Sequence, residues 1–265
     1  MAKRVKIENY TFKISLDNLS YLIDVITDLT KLDDSVVMNF DNNNLLLFSV
    51  VGRNIDNVHA FKSHILPISD VFLPSKNKLQ SEIRYILNDA KKFTTSMKVF
   101  VKYMKSQDIL DEVHFKLYYN EFFCERLEIK NSKSKEETPG GKPNNHTHNL
   151  DIDDIDSVMD KSLSNYSFEL SKIDYEYIKS KTNIEKDNDV LYLNIENNTL
   201  NIGETRWQHN ITELELEDKT ISFPKKYFKC INYDKNDIMT IYVTDTFLLI
   251  SGDDTNLLIS IELTI

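Results

Sequence analysis

Apolar residues recur at helical spacing in two segments of the first half of the chain. The first segment, residues 17–32, and the second, residues 82–98, each repeat apolar residues three or four positions apart, which predicts amphipathic helices. The apolar positions are Leu19, Leu22, Ile23, Ile26 and Leu29 in the first, and Ile83, Ile86, Leu87, Ala90 and Phe93 in the second. A weaker stripe of Ile173, Tyr177 and Ile178 predicts a third helix. A fourth, short helix is predicted after Pro224, with Tyr227, Phe228 and Ile231 facing inward.

Alternating and apolar runs between these segments predict β-strands. Three runs after the second helix form a predicted meander, KVFVKYMK, EVHFKLYYNE and FFCERLEIK. Three more follow the fourth helix, DIMTIYVTD, TFLLISGDD and TNLLISIELTI. Hairpin-length connections imply antiparallel sheets, and the helices are expected to pack on one sheet face.

One predicted hairpin sequence occurs twice, about 155 residues apart. NFDNNNLLLF spans residues 39–48 and NIENNTLNIG spans residues 194–203, and each reads as strand, Asn-rich turn, strand. FKIS lies before the first hairpin and FELS lies before the second. In both cases a helical segment lies between this stretch and the hairpin. The whole unit repeats, so the chain is predicted to be α+β with two similar domains.

A polar segment separates the two copies. Residues 131–149, NSKSKEETPGGKPNNHTHN, lack large apolar side chains and predict a flexible linker. The predicted domains are therefore 1–130 and 150–265. No apolar run has the length of a membrane span, so a cytoplasmic location is expected.

Sequence motifs for catalysis and cofactor binding are missing. No glycine opens a helix after a strand, and no HExxH, GxSxG or CxxC occurs, so we expect no enzyme activity and no cofactor. The pair His146 and His148 is too weak a signal to predict a metal site. Cys124 and Cys230 lie in apolar contexts and are predicted to be buried thiols.

Charge is unevenly distributed along the chain. The net charge is −10, yet the four predicted helical segments sum to +4 and leave −14 for the remainder. One interpretation is that lysine favours helices and their C-terminal ends. The other is a bipolar molecule with a basic helical surface that contacts phosphates without reading bases.

With this pattern, the chain resembles the DNA sliding clamps. The resemblance is carried by FKIS and FELS, by the two hairpins with their flanks, and by the C-terminal TNLLISIELTI. The phage processivity factors of T-even type are most similar, and proliferating cell nuclear antigen more distantly. The net-negative first helix departs from the basic lining of that family. The resemblance implies a homotrimeric ring around duplex DNA, with helices inside and sheets outside, whose partners are a replicative DNA polymerase and a clamp loader.

The resemblance also implies three sets of site residues. The DNA-binding set is expected to comprise Arg84, Lys91, Lys92, Lys179, Lys181, Lys225, Lys226 and Lys229. An outer groove for polymerase and loader peptides is expected to involve Val50, Val51, Ile259, Ile261 and Leu263. Subunits are expected to join through two edge strands that carry Phe122, Cys124, Leu127 and Ile129 on one side and Trp207, Ile211 and Leu214 on the other. The alternative function is a β-rich homotrimeric phage structural or assembly protein.

Overall fold

The computed structural model describes residues 7–52, 58–75, 78–107, 112–120, 123–142, 160–184, 189–213, 216–233, 237–252 and 255–264. The chain divides into two compact units. Unit 1 comprises Met1–Asn57 and Ser63–Ile152, and unit 2 comprises Val58–Lys62 and Asp153–Ile265.

Unit 1 combines three helices with two sets of strands. Its helices are α1 (Leu16–Leu29), α2 (Ile68–Val71) and α3 (Ala90–Ser106). Its strands are β1 (Glu8–Ile14), β2 (Val36–Phe40), β3 (Asn44–Gly52), β4 (Val58–Pro67), β5 (Ile83–Leu87), β6 (Val113–Tyr119), β7 (Cys124–Lys130) and β8 (Lys135–Pro139). The first five residues of β4 are grouped with unit 2.

Unit 2 repeats this arrangement with shorter helices. Its helices are α4 (Lys172–Ile184) and α5 (Lys225–Phe228), preceded by a 3-10 turn at Lys161–Leu163. Its strands are β9 (Tyr166–Ser171), β10 (Val190–Glu196), β11 (Thr199–Glu204), β12 (Trp207–Glu213), β13 (Lys219–Pro224), β14 (Ile238–Val243), β15 (Phe247–Ser251), β16 (Thr255–Ser260) and β17 (Glu262–Thr264).

Each unit consists of two strand–helix–meander modules that exchange their first strands. In unit 1 the strand orders are β1-β6-β7-β8 and β5-β2-β3-β4, so the first strand of each module joins the meander of the other. Unit 2 has the orders β12-β11-β10-β13-β17 and β16-β15-β14-β9, which is the same exchange with β17 added. The α+β class and the antiparallel sheets are confirmed.

The repeated FKIS and FELS stretches end in equivalent helix caps. Ser15 Oγ accepts a hydrogen bond of 3.1 Å from the N–H of Asn18 at the start of α1. Ser171 Oγ accepts one of the same length from the N–H of Asp174 at the start of α4. A serine that accepts from an N–H in the first turn is a favourable N-cap, so both motifs encode a strand followed by a helix start.

The repeated hairpins differ in their turns. Asn197 and Asn198 have φ values of 51° and 61°, as the two central residues of a type I′ turn require. In the first hairpin, Asp41 instead accepts hydrogen bonds from the N–H groups of Asn43 and Asn44.

Helix α1 is confirmed where its apolar spacing predicts it, but the second predicted helix is wrong in position. Residues 83–87 form strand β5, and the helix begins at Ala90 and ends at Ser106. KVFVKYMK, predicted as a strand, therefore belongs to α3. The side chains of Phe100, Val101 and Met104 in that stretch are buried in the core of unit 1.

The predicted linker contains a strand. β8 pairs with β7, and Tyr85 Oη donates a hydrogen bond of 3.2 Å to the carbonyl oxygen of Thr138. The N–H of Gly141 donates to the carbonyl oxygen of Ile86 at 2.7 Å. The flexible-linker prediction is wrong for 131–142, and its remainder, 143–149, lies outside the described residues.

Helix α4 lies where it is predicted, but it buries a different face. Tyr175, Ile178 and Thr182 are buried, whereas Ile173 and Tyr177 of the predicted inward stripe are exposed. For the short helix α5 the prediction is confirmed, because Tyr227, Phe228 and Ile231 are all buried.

Candidate nucleic-acid interface

Helix α3 presents a row of cations to solvent. It carries five lysines and no acidic residue, namely Lys91, Lys92, Lys98, Lys102 and Lys105. All five are exposed. At 3.6 residues per turn, all of them except Lys92 fall within roughly 60° of arc. The opposite side of the helix is buried, so the basic row is the outer surface of α3.

Helix α1 neutralises part of this row. Lys105 Nζ lies 2.8 Å from Asp17 Oδ1, and Lys98 Nζ lies 3.9 Å from Asp24 Oδ1. The residue numbers run in opposite directions in these two pairs, so α1 and α3 pack antiparallel. Among the described residues, the ammonium groups of Lys91, Lys92 and Lys102 form no ion pair.

A loop distant in sequence fixes the N-terminus of α3. Asp34 accepts a hydrogen bond of 2.7 Å at Oδ1 from the N–H of Lys91 and one of 3.0 Å at its carbonyl oxygen from the N–H of Ala90. Unit 2 has the equivalent backbone contact, since the N–H of Lys225 donates to the carbonyl oxygen of Asp189 at 2.8 Å. Two N–H groups of the first turn of α3 are thus paired.

Lysines of α4 have partners within unit 2. Lys179 Nζ lies 3.4 Å from Glu176 Oε1, and Lys181 Nζ lies 5.7 Å above the ring of Tyr177. The outermost line of α4 is apolar because Ile173, Tyr177 and Ile184 are exposed along it. The two lysines predicted to contact DNA lie at its flanks.

Around α5, two of the three predicted lysines remain accessible. Lys226 is exposed, with Nζ 4.6 Å above the ring of Tyr227, and Lys229 Nζ donates to Asn183 Oδ1 at 2.8 Å. Lys225 is buried, and its Nζ lies 3.0 Å from the buried carboxylate of Glu204. The DNA-binding prediction for Lys225 is therefore wrong, because its charge is held inside the unit.

Arg84 is also misplaced by the sequence interpretation. It lies on strand β5 opposite Asn39, and its Nε is buried. The prediction that Arg84 belongs to a basic helical surface is wrong because the helix begins six residues later.

Among the residues predicted for the outer groove, the accessible ones are few. Val50 and Val51 are half-buried at the end of β3, and Ile261 is half-buried in unit 2. Ile259 is completely buried in β16, so its prediction as a groove residue is wrong. Leu263 pairs with Ile221 in the β13–β17 ladder, and its side chain is not among those described.

The first predicted subunit edge is internal to its sheet. β7 pairs with β6 on one side and β8 on the other, and Cys124, Leu127 and Ile129 are buried. The prediction of β7 as an edge is therefore wrong, and β8 is the last described strand of this sheet. Phe122 and Leu214, together with His146 and His148, lie outside the described residues.

The second predicted edge does lie at the border of a described sheet. β12 pairs with β11, and no other described strand adjoins it. Trp207 and Ile211 are half-buried on this strand. Between them, His209 stacks on Tyr177 of α4 with 4.7 Å between ring centroids, and its Nε2 lies 2.8 Å from Asp174 Oδ1.

Asp174 has a perturbed acidity at this edge. Desolvation raises the pKa of its carboxyl group, but hydrogen bonds with Ser171 and His209 outweigh that effect and leave the pKa below its ordinary value of 3.8. The carboxylate is thus held in its charged form beside the histidine.

The described residues add two negative findings. They contain no cluster of three or more His, Cys, Asp and Glu residues that could hold a metal ion. No described helix is long and apolar enough to cross a membrane.

Cys124 and Cys230 are buried free thiols, as predicted, and burial raises the pKa of Cys124 to about 12.

Solved structures of bacterial sliding clamps share this fold. The DNA polymerase III subunit beta of Borrelia burgdorferi is similar over 95% of this chain and 64% of its own, with 13% identity and a TM-score of 0.62. The Pseudomonas aeruginosa subunit matches with the same two coverages, 11% identity and a TM-score of 0.61. The Helicobacter pylori beta clamp bound to a DNA ligase peptide has 12% identity over 96% of this chain and 66% of its own, at a TM-score of 0.59. No family model and no curated protein matches the sequence.

These similarities assign the chain a sliding-clamp fold. The chain spans 64–66% of the length of those three structures.

The sequence interpretation missed three lysines of the basic row. Lys102 and Lys105 are not in the predicted DNA-binding set because KVFVKYMK reads as a strand, and Lys98, the last residue of the predicted helical segment 82–98, is not in that set either. The helical signal was present as Phe93, Met97, Phe100 and Met104 at spacings of three and four residues.

Proposed function

We propose that this protein is a sliding clamp that encircles duplex DNA and tethers a replicative DNA polymerase, without catalysis of its own. The observation that carries the proposal is the combination of a clamp fold with an exposed basic row on α3. Lysines on a rigid helix attract the phosphate backbone, and they do not specify a base sequence.

A homotrimer is the assembly that fits this chain. Each unit contributes two main helices, so three copies supply twelve, and at roughly 10 Å per helix the inner circumference is about 120 Å. The central hole is then about 38 Å across, which is wider than a duplex. The overall negative charge would lie on the remaining surface and repel DNA from it.

Six described strands lie at sheet borders, and β8 and β12 are the two of them that end a meander. β8 and β12 are each paired on one side among the described strands, and an unpaired strand edge invites another chain. We therefore assign subunit contact to β8 of one copy and β12 of the next, with Trp207 and Ile211 beside the ladder. β8 replaces the buried β7 of the sequence-based proposal.

Val50, Val51 and Ile261 remain candidates for partner binding. The Helicobacter pylori structure contains a DNA ligase peptide, so a protein with this fold takes up a peptide. By analogy, we propose that short peptides of the polymerase and of a clamp loader bind at the outer surface of this chain.

The test combines mass and processivity. Light scattering should give the mass of three chains, and polymerase extension products should lengthen when the protein is added. A trimer that neither binds duplex DNA nor lengthens the products would support the alternative, a phage structural or assembly protein.

A further inference from the structure

We infer that the duplex is held mainly by unit 1, through Lys91, Lys92 and Lys102 of α3, and that the helices of unit 2 contribute little to phosphate binding. This inference rests on the proposed function and adds an asymmetry that the pseudo-repeat does not suggest. It concerns which of two similar units carries the affinity for DNA.

Charge on the longest helix is the first difference between the two units. Helix α3 carries five lysines and no carboxylate, whereas α4 carries three lysines with Asp174 and Glu176. A phosphate approaching α4 meets two carboxylates within the same helix. Attraction of a phosphate is therefore weaker at α4 than at α3.

Side-chain direction is the second difference. Ile173 is 82% exposed and Ile184 is 74% exposed along the outermost line of α4. These side chains have no donor for a phosphate oxygen. On α3, Lys102 and Val99 lie on the outward face, with Lys91 next to Lys102 and Lys92 next to Val99.

Local partners are the third difference. Lys172 Nζ donates to the carbonyl oxygen of Tyr233 at 3.4 Å, Lys179 faces Glu176, and Lys229 donates to Asn183. Moving any of these groups to a phosphate breaks an existing contact. By contrast, no ion pair holds Lys91, Lys92 or Lys102 among the described residues, so their charges are available to DNA.

Helix α1 further restricts the part of unit 1 that can contact a duplex. Asp17 and Asp24 are exposed and pair with Lys105 and Lys98, on the side of α3 that faces α1. A duplex placed over α1 would meet these carboxylates. The phosphate-binding surface therefore comprises the lysines of α3 that have no carboxylate partner in α1, namely Lys91, Lys92 and Lys102.

Three matched triple variants test the inference. Variant A replaces Lys91, Lys92 and Lys102 of α3 by Ala, variant B replaces Lys179, Lys181 and Lys226 of unit 2, and variant C replaces Lys78, Lys133 and Lys142, which lie outside the helices. Each removes three positive charges from accessible side chains. Binding to a labelled duplex is measured by fluorescence anisotropy at several salt concentrations, with light scattering to confirm the oligomeric mass.

Variant A should lower the slope of log K against log salt concentration by roughly 0.9 per lost contact, which is about 2.7 for each subunit that contacts the duplex. Variants B and C should keep the wild-type slope. An equal loss in A and B would overturn the inference and leave the proposed function standing. A wild-type protein that shows no salt-dependent binding to the duplex would overturn both.

Discussion

At the scale of single residues, burial decides which lysines can act on a partner. Lys225, Lys226 and Lys229 are equivalent in the sequence KKYFK, and nothing local distinguishes them. In the structure, Lys225 is directed inward to Glu204, which comes from the end of β11. Only the tertiary fold brings that carboxylate to the helix, so the sequence could not reveal it.

Removing the buried cation should destabilise unit 2 strongly. Lys225→Met leaves the Glu204 carboxylate buried without its partner, and we expect the free energy of unfolding to fall by about 3–5 kcal/mol. Urea unfolding measures this change. Lys226→Met is the matched control, because this side chain is exposed, and it should change the stability by less than about 0.5 kcal/mol.

The double variant separates charge from packing. Adding Glu204→Gln to Lys225→Met removes the uncompensated charge and should restore part of the lost stability. A double variant as unstable as Lys225→Met alone would show that packing, and not the ion pair, explains the loss.

The lowered pKa of Asp174 predicts that the contribution of this residue to stability is lost in acid. Because its folded-state pKa is lowered, its contribution is complete above the unfolded-state pKa of about 3.9 and is lost as the pH falls through the folded value. Asp174→Asn should therefore reduce stability at neutral pH and flatten its decline below about pH 4. Urea midpoints over a pH series report this, with the exposed Glu169→Gln as control, and an unchanged pH profile in Asp174→Asn would contradict the assignment.

At the scale of elements, the sequence correctly predicted the helix, turns and caps that are determined by contacts between residues close together in the chain. The apolar spacing of α1 matches its buried face, and the two Asn-rich turns are hairpins, as predicted. The serines that end FKIS and FELS cap the helices that follow them. In these cases propensity, capping and burial agree.

Two elements were mispredicted because tertiary contacts determine them. β5 has apolar residues three apart, which also fits a helix, but pairing with β2 makes it a strand. β8, KEETP, has no buried side chain among its five residues, as is common for polar strands at the border of a sheet. Its position depends on pairing with β7 and on Tyr85, which is distant in the sequence.

The start of α3 offers a test of such a tertiary contact. Asp34→Ala removes the side-chain acceptor for the N–H of Lys91 and should lower the free energy of unfolding by about 1 kcal/mol. Asp89→Ala is the matched control, since Asp89 occupies the N-cap position without a side-chain capping bond. Equal effects of the two substitutions in urea unfolding would mean that general electrostatics at the helix terminus, and not the hydrogen bond from Asp34, stabilises α3.

At the scale of the whole molecule, the repeat supplies the similar units from which the proposed ring would be built. Four modules with exchanged first strands form two units, and each unit leaves a strand at a sheet border. A contact between unlike borders is heterologous, and it closes only when its rotation divides a full turn. The sequence predicted the repeat correctly, but it could not show that β8 lies outside β7.

The border at β8 can be tested without disturbing its own sheet. The N–H of Gly140 donates to the carbonyl oxygen of Glu125, and the N–H of Asn131 to that of Ser134. Because hydrogen-bonded pairs alternate in an antiparallel ladder, the N–H of Glu137 must point away from β7. A proline at this position therefore removes a donor from the outer edge and leaves the β7 ladder intact.

We expect Glu137→Pro to give folded monomers under conditions where the wild type forms the proposed trimer. Glu137→Ala is the matched control, because it loses the same contacts to Lys135 and Arg126 but keeps the N–H, and it should remain trimeric. Light scattering at micromolar concentration gives the mass, and circular dichroism confirms folding. If Glu137→Pro kept the trimer mass, the subunits would have to join elsewhere, because a strand that pairs through this edge cannot do without the donor at its centre.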